Sequence, residues 1–216
     1  MLMYHHKPKE MKTIASLFLL LIIAGTNLAD LTAQTPGTVK TALVIVDIQE
    51  FYFPADGSGP VGAVEASLAA RDVLMAFREA KLPVVHVKHS AQRGEEIHNN
   101  VTPVAGEKII TKQAINSFLG TDLYDFLRYS GVNRLVIIGM QTHMCVEATV
   151  RAASDFGFDC IVVADACASR DLQYGDINIP AEMVHASTLT TLMAGRYARV
   201  ITLKEFLADT ALYLYK

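Results

Sequence analysis

Short apolar segments alternate with segments of helical spacing along most of this chain, and this alternation constrains the fold more than any other feature. The segments "TALVIVDIQ" (41–49), "NRLVIIG" (133–139) and "DCIVVAD" (159–165) are dominated by apolar residues. This pattern is typical of strands that are buried on both faces of a parallel sheet. We therefore predict an α/β fold in which helices cover both faces of the sheet.

Three further segments complete a predicted Rossmann-like parallel sheet of six strands: "LPVVHVKH" (82–89), "EKIIT" (107–111) and "ARVIT" (198–202). The spacing predicts helices at 62–80, from Thr121 or Asp122 to Tyr129, from the Cys145 region to about 157, at 180–194 and from about 204. Loops are expected at 90–106 and 168–179. The first helix is expected to place five apolar side chains on related faces: Val64, Leu68, Val73, Leu74 and Phe77.

The N-terminal segment has the layout of a secretory signal peptide. Lys12 precedes an apolar stretch from Ile14 to Ala24, and small and polar residues follow. This stretch is short for a bilayer span, although an uncleaved anchor is the alternative. We expect residues 1–36 to be signal peptide and leader, with cleavage after Ala33, and residues 37–216 to be the folded domain. The mature protein is then periplasmic or secreted, with no stable membrane span.

The cysteine content fits poorly with a disulfide framework, although export leads to an oxidising compartment. The three cysteines are Cys145, Cys160 and Cys167. The last two bracket a predicted strand, and seven residues at about 3.3 Å each separate them by about 20 Å, too far for a disulfide. We expect both to be buried as small apolar side chains.

Three residues with reactive side chains stand at the ends of predicted strands. Asp47 follows four apolar residues, Lys112 follows "KIIT", and Cys145 lies in the turn or first helical turn after "RLVIIG". Ligands of parallel sheets bind beyond the C-terminal strand ends, so we expect these three residues on one rim. A helix N-terminus and an ammonium group both lower the pKa of a thiol, and a carboxylate can carry its proton.

Each of the three residues also has a common structural role. An Asp at a strand end often caps a helix or forms a turn, a Lys there is often solvated, and a Cys at a helix start is often core. Position alone therefore leaves the catalytic and the structural interpretations open.

Three segments resemble the isochorismatase-like cysteine hydrolases: "LVIVDIQEFYF", "TKQAINSFLGTDL" and "LVIIGMQTHMCVEATVRAASDFGFDCIVVADACASRD". The resemblance extends from about residue 41 to 202. It implies a three-layer αβα sandwich and an Asp–Lys–Cys catalytic triad, here Asp47 as general base, Lys112 and the nucleophile Cys145. It also implies a cis peptide bond between Met140 and Gln141.

The resemblance further implies an oxyanion hole formed by the backbone N–H groups of Gln141 and Cys145, with Thr142 bracing the turn. Candidate substrate contacts lie within these segments or shortly after them: Phe51, Phe53, Phe118, His143 and Tyr174. Tyr52 could also wall the pocket. For the aromatic residues, a place in the core is the alternative, and for Tyr174 a solvent-exposed loop.

The histidines between 86 and 98 raise the question of a metal site, because related nicotinamidases bind a metal through an Asp-x-His and further histidines. His86, His89 and His98 are present, but the Asp-x-His is missing and His86 falls within a predicted strand. We therefore interpret these histidines as structural or surface residues and expect neither a metal nor another cofactor.

These observations favour a cysteine hydrolase that cleaves a C–N bond of a small amide, ureide or lactam through a thioester. The alternatives are an isochorismatase-type hydrolase of a vinyl ether, and a catalytically idle binding domain of the same fold. The formal net charge of −3 indicates no nucleic-acid partner. The resemblance implies a homo-oligomer.

Overall fold

The computed structural model describes residues 38–216. The expected signal peptide and leader at 1–36 lie outside the described residues. Across 38–216, none of the helices combines the length and the apolar character that a membrane crossing requires.

Strands and helices alternate as the sequence predicts, with eight strands and six α-helices in residues 38–216. The strands are β1 (Thr41–Val46), β2 (Val84–His89), β3 (Lys108–Lys112), β4 (Arg134–Met140), β5 (Asp159–Ala168), β6 (Leu172–Tyr174), β7 (Ile177–Ile179) and β8 (Arg199–Ile201). The helices are α1 (Ala63–Glu79), α2 (Leu123–Tyr129), α3 (Glu147–Asp155), α4 (Ala181–Ala194), α5 (Leu203–Ala208) and α6 (Thr210–Tyr215). Short 3₁₀ turns occupy Glu50–Tyr52 and Asn99–Val101.

Six of the strands form one sheet in the order β3-β2-β1-β4-β5-β8, with every neighbouring pair parallel. The central strands β1 and β4 are buried at every residue. This burial on both faces explains their continuous apolar sequence, because each alternate side chain enters a helix-covered core.

The two faces of the sheet carry separate cores. Ala42 and Val44 pack on the face covered by α2, α3 and α4. Leu43 and Ile45, which alternate with them along β1, pack on the face covered by α1, α5 and α6. The predicted three-layer αβα architecture is therefore confirmed.

Three details differ from the sequence prediction. Residues 168–179 contain an antiparallel hairpin of β6 and β7 rather than an open loop, and the C-terminal helix is divided into α5 and α6. In α1, Val64 and Leu68 are 54% and 37% exposed, not on the core face. The buried face of α1 consists instead of alanines and of Val73, Leu74 and Phe77. The small alanine side chains allow α1 to approach the sheet closely. Leu68 lies two residues before the buried Ala70, which is a rotation of about 200° around the helix axis, so its side chain points away from the sheet.

Candidate active site

The structure brings Asp47, Lys112 and Cys145 together at the C-terminal rim of the sheet. Asp47 follows β1, Lys112 is the last residue of β3, and Cys145 lies in the turn after β4. Lys112 Nζ lies 2.7 Å from Asp47 Oδ2 and donates to Cys145 Sγ at 3.3 Å. All three side chains are buried. Residues so distant in sequence share one site because the C-terminal ends of parallel strands meet at one edge of the sheet.

The backbone at the end of β1 points the carboxylate of Asp47 into the site. Asp47 has a φ of 51°, in the left-handed region that aspartate adopts more readily than most residues. Its backbone N–H donates to Val87 O at 2.9 Å, which holds this conformation against β2. In residues 38–216, no backbone N–H, hydroxyl or amide group donates to the carboxylate. Lys112 is therefore its main stabilising partner.

Burial changes the proton affinities of the acid and the thiol in the same direction. Burial raises the pKa of Asp47, and the nearby Lys112 ammonium only partly offsets this effect. Burial, followed by the negative charge of Asp47, raises the pKa of the Cys145 thiol to about 12, although Lys112 acts to lower it. The expectation of a lowered thiol pKa is wrong, because the carboxylate and the loss of water outweigh the ammonium. The resting sulfur is therefore a thiol beside a base of increased strength.

The turn that carries Cys145 is a π-helical turn over Thr142–Val146, and α3 starts only at Glu147. The peptide bond between Met140 and Gln141 is cis, as the resemblance implies. Thr142 Oγ1 lies 2.9 Å from His185 Nδ1 of α4, so the Thr142 side chain contacts the neighbouring helix and makes no helix-capping hydrogen bond. Gln141 Oε1 accepts a hydrogen bond from Arg170 Nε at 2.9 Å. Contacts on two sides thus hold the turn.

Gly139 allows the end of β4 to pass close to β1. Its φ is +134°, and a Cβ at this position would lie 1.9 Å from Val46 O. Only glycine fits such an approach. β1, which precedes Asp47, and β4, which precedes the Cys145 turn, can therefore lie in close contact only because residue 139 has no side chain.

His89 belongs to this site, although its sequence context predicted a structural or surface residue. Its Nδ1 lies 3.2 Å from Lys112 Nζ, and the parallel register pairs His89 of β2 with Lys112 of β3. Lys112 Nζ also donates to Ala114 O at 3.0 Å. His89 ends a predicted strand, but only the register of β2 against β3 places it beside Lys112.

The candidate substrate contacts are distributed over several environments. Phe51 packs edge-on against Tyr52, and Phe53 stacks on His98 with ring centroids 3.8 Å apart. Phe118 is 7% exposed and packs on Phe158 in the core and on the exposed Phe156. None of these four ring contacts involves Cys145.

The remaining candidates lie nearer the rim or on the surface. His143 Nδ1 lies 3.1 Å from Ser169 Oγ, and burial lowers the pKa of His143. Tyr174 is 79% exposed in the β6–β7 hairpin. Tyr52 is buried, and burial raises the pKa of its hydroxyl to about 12. A hydrogen bond with the Gln141 side chain acts to lower this pKa, and a negative charge on Cys145 would raise it further. Tyr52 also shares a buried cluster with Met140, two residues before Thr142, where the turn that carries Cys145 begins.

Two of the cavities near this rim are not lined by Asp47 or Cys145. One, of about 330 Å³, lies between the N-terminus of α1, the end of β5 and the start of α4. The other, of about 600 Å³, is lined by Ser90 and Ala114, among others. Ala114 lines the second cavity and also contacts the site, because its carbonyl oxygen accepts a hydrogen bond from Lys112.

The other two histidines of the 86–98 region have structural contacts. His86 Nε2 lies 2.9 Å from Glu107 Oε2, and Glu107 also pairs with Arg78. His98 stacks on Phe53 and accepts a hydrogen bond from Asn100 N–H. Among residues 38–216, no three His, Cys, Asp or Glu side chains are grouped so that they could hold a metal ion.

The domain model of the isochorismatase family matches residues 41–204. The chain belongs to the isochorismatase family. The family protein YddQ of Bacillus subtilis (strain 168) is 41% identical over 180 residues, which cover 78% of this chain and 99% of YddQ. A crystal structure from Oleispira antarctica, assigned to the isochorismatase hydrolases, superposes with a TM-score of 0.74 at 38% identity and covers 78% of this chain and 96% of that one.

Further relatives have names that state a hydrolytic activity. Streptothricin hydrolase of Streptomyces noursei is 30% identical over 182 residues, covering 79% of this chain and 69% of that protein. Maleamate amidohydrolase of Pseudomonas putida is 28% identical, covering 64% and 82%. N-carbamoylsarcosine amidase from Thermoplasma acidophilum superposes with a TM-score of 0.65 at 26% identity, covering 76% and 97%. The chain is thus a hydrolase of the isochorismatase family.

Proposed function

We propose that this hydrolase cleaves a C–N bond of a small amide, ureide or lactam through a thioester on Cys145. The observation that carries the proposal is the position of Lys112 Nζ, 2.7 Å from the Asp47 carboxylate and 3.3 Å from Cys145 Sγ. A nucleophile and a base that both contact one cation are the groups that acyl transfer requires.

The reaction starts from the thiol. As the sulfur electron pair attacks the substrate carbonyl carbon, Asp47 accepts the thiol proton, and the carbonyl π electrons move to oxygen. Backbone N–H groups of Gln141 and Cys145 stabilise this oxyanion in our proposal. When the carbonyl re-forms, the C–N bond breaks and the amine leaves with the proton from Asp47. Water, deprotonated by Asp47, then attacks the thioester, the C–S bond breaks and the thiol is regenerated.

The raised proton affinities support this order of events. A thiol with a pKa of about 12 is almost fully protonated at neutral pH, so attack needs a base in contact with it. Burial raises the pKa of Asp47 towards that of the thiol and so reduces the cost of the proton transfer. Lys112 compensates the buried negative charge, whether it resides on the carboxylate or on sulfur.

The names of the relatives support C–N bond cleavage over the alternatives. Maleamate amidohydrolase and N-carbamoylsarcosine amidase are named for amide hydrolysis. Hydrolysis of a vinyl ether requires no thioester, and an idle binding domain requires no base beside the thiol. Neither alternative explains why three reactive side chains are buried against one another.

The test is turnover of defined substrates by the full chain. We would incubate it with maleamate, N-carbamoylsarcosine and isochorismate and measure ammonia release and loss of the vinyl ether. Ammonia release that Cys145→Ala abolishes and Cys160→Ala retains would support the proposal, because Cys160 is buried elsewhere in the core. Turnover of isochorismate alone, unchanged in Cys145→Ala, would contradict it.

We also propose that the protein is exported, on the basis of the N-terminal sequence alone. The measurement is the mass of the N-terminal peptide of the protein recovered from the periplasm or the medium. A mature terminus at Gln34 would support export with cleavage after Ala33. An intact N-terminal segment in the cytoplasmic fraction would contradict it.

A further inference from the structure

We propose that His89 is a positioning residue that keeps the Lys112 ammonium directed at Asp47. This inference rests on the proposed function, in which Lys112 compensates the charge that moves between Asp47 and Cys145. His89 Nδ1 lies 3.2 Å from Lys112 Nζ. The Asp–Lys–Cys arrangement by itself does not include this contact.

The backbone of His89 is fixed on both sides by one buried side chain. Gln49 Oε1 accepts from His89 N–H at 2.6 Å, and Gln49 Nε2 donates to His89 O at 2.9 Å. Gln49 lies two residues after Asp47 and is fully buried. The same segment therefore places the carboxylate and the backbone of His89. The parallel register then sets His89 beside Lys112.

The role of His89 follows from the number of hydrogen bonds that the Lys112 ammonium can donate. A lysine ammonium has three donors and no acceptor. Three acceptors surround Lys112 Nζ: Asp47 Oδ2 at 2.7 Å, Ala114 O at 3.0 Å and His89 Nδ1 at 3.2 Å. Cys145 Sγ, at 3.3 Å, is a fourth and weaker partner. With His89 present, the three better acceptors compete for the three N–H groups, so the donation to Cys145 Sγ is the weakest of the four contacts.

This arrangement requires a particular form of the imidazole. His89 Nδ1 accepts a hydrogen bond only when it carries no proton, so the ring is neutral with its proton on Nε2. Without this acceptor, one ammonium N–H is released towards Cys145 Sγ. The sulfur would then become a better stabilised and less nucleophilic anion, and the ion pair with Asp47 would be less well directed.

Substitution of His89 by residues with amide side chains tests whether the acceptor at the Nδ1 position is required. The oxygen of an asparagine occupies the position of His Nδ1, whereas that of a glutamine reaches the position of Nε2. His89→Asn therefore retains an acceptor facing Lys112, and His89→Gln moves it away. Both are polar and similar in size, so a comparison of the two separates positioning from folding. His89→Leu removes the acceptor entirely, and Ser90→Ala is the control for the neighbouring cavity wall.

The experiment has two readouts on the full chain. The first is kcat and KM with the amide that the wild type hydrolyses fastest among maleamate and N-carbamoylsarcosine. We expect kcat to fall about tenfold in His89→Gln and His89→Leu with KM changed less than about twofold, and to stay within about threefold in His89→Asn. The second is the rate of iodoacetamide alkylation at Cys145 at pH 9, which should rise in the Gln and Leu variants but not in Asn, because the released N–H lowers the thiol pKa.

Equal kcat and equal alkylation rates in His89→Asn and His89→Gln would overturn the positioning role. The alkylation readout needs no substrate. If the wild type hydrolyses no amide, the proposed function fails, while the Asn–Gln comparison of alkylation still decides whether His89 directs Lys112.

Discussion

Lys112 Nζ lies 2.7 Å from Asp47 Oδ2, and the side chains of both residues are at most 1% exposed. Two opposite charges buried in this way depend on each other, because removing one leaves the other in a medium that solvates it poorly. The pair therefore affects both stability and chemistry, and substitutions at its two members separate the two effects.

Replacing Lys112 with methionine keeps most of the side-chain volume and removes the charge. We expect the free energy of unfolding to fall by about 3 kcal/mol at pH 7, since Asp47 is left buried without its counter-charge. Urea denaturation measures the change. The double variant with Asp47→Asn should regain much of this stability and remain inactive. Lys108→Met is the matched control, because its pair with Asp122 is partly exposed, and it should cost less than about 1 kcal/mol. A loss at Lys112 no larger than this would contradict the account.

Replacing Asp47 with asparagine should have opposite effects on ionisation and on turnover. The negative charge of Asp47 contributes to the raised pKa of Cys145, so its removal lowers that pKa and speeds alkylation of the thiol at pH 9. Amide turnover should nevertheless fall by about 100-fold or more, because no base remains for the proton transfers. Asp56→Asn, at an exposed turn, should change neither. Slower alkylation in Asp47→Asn would show that Asp47 does not face the thiol.

A methyl group at Gly139 should destabilise the protein, because the methyl carbon would lie 1.9 Å from Val46 O. We expect a loss of about 3 kcal/mol in the free energy of unfolding. Gly106 has a comparable positive φ of +94° and nothing within 4 Å of the place that a Cβ would occupy, so Gly106→Ala measures the backbone strain alone. Thermal unfolding of both variants isolates the clash. Equal melting temperatures would contradict a close approach of β1 and β4.

Glu107 should make the free energy of unfolding decrease as the pH falls into the acid range. Although burial acts to raise it, hydrogen bonds from Arg78, the Val104 N–H and His86 lower the pKa of Glu107 to about 2. A lowered carboxyl pKa contributes stability above the unfolded-state value of about 4.3, and this contribution is lost as the pH falls towards 2. The wild type should therefore lose up to about 3 kcal/mol across that range. Glu107→Gln should be less stable at pH 7 and show a weaker dependence, whereas Glu79→Gln, at an exposed position, should behave as the wild type.

The fold was largely predictable because burial on both faces leaves a direct mark on sequence. β1 and β4 are apolar at nearly every position since both faces of these strands pack on helices. The β6–β7 hairpin left no such mark, because all of its strand residues are exposed or only partly covered. Its pairing rests on backbone hydrogen bonds, which any residue except proline can supply.

The positions of strand ends alone predicted that Asp47, Lys112 and Cys145 lie close together. They did not predict the ionisation of these side chains. The thiol pKa depends on how much water remains and on the distance to the carboxylate, and a sequence supplies neither quantity. His89 was missed for a related reason. A histidine at a strand end has no fixed role until the register sets it opposite Lys112.

The most direct test of the central claim is mass spectrometry of the full chain quenched with acid during turnover of its fastest amide substrate. We expect an increase in mass equal to that of the acyl group, located by digestion on the peptide that contains Cys145. The increase should be absent from Cys145→Ala and retained in Cys160→Ala. Turnover that persists in Cys145→Ala, or an acyl group on any other residue, would contradict a thioester at this site.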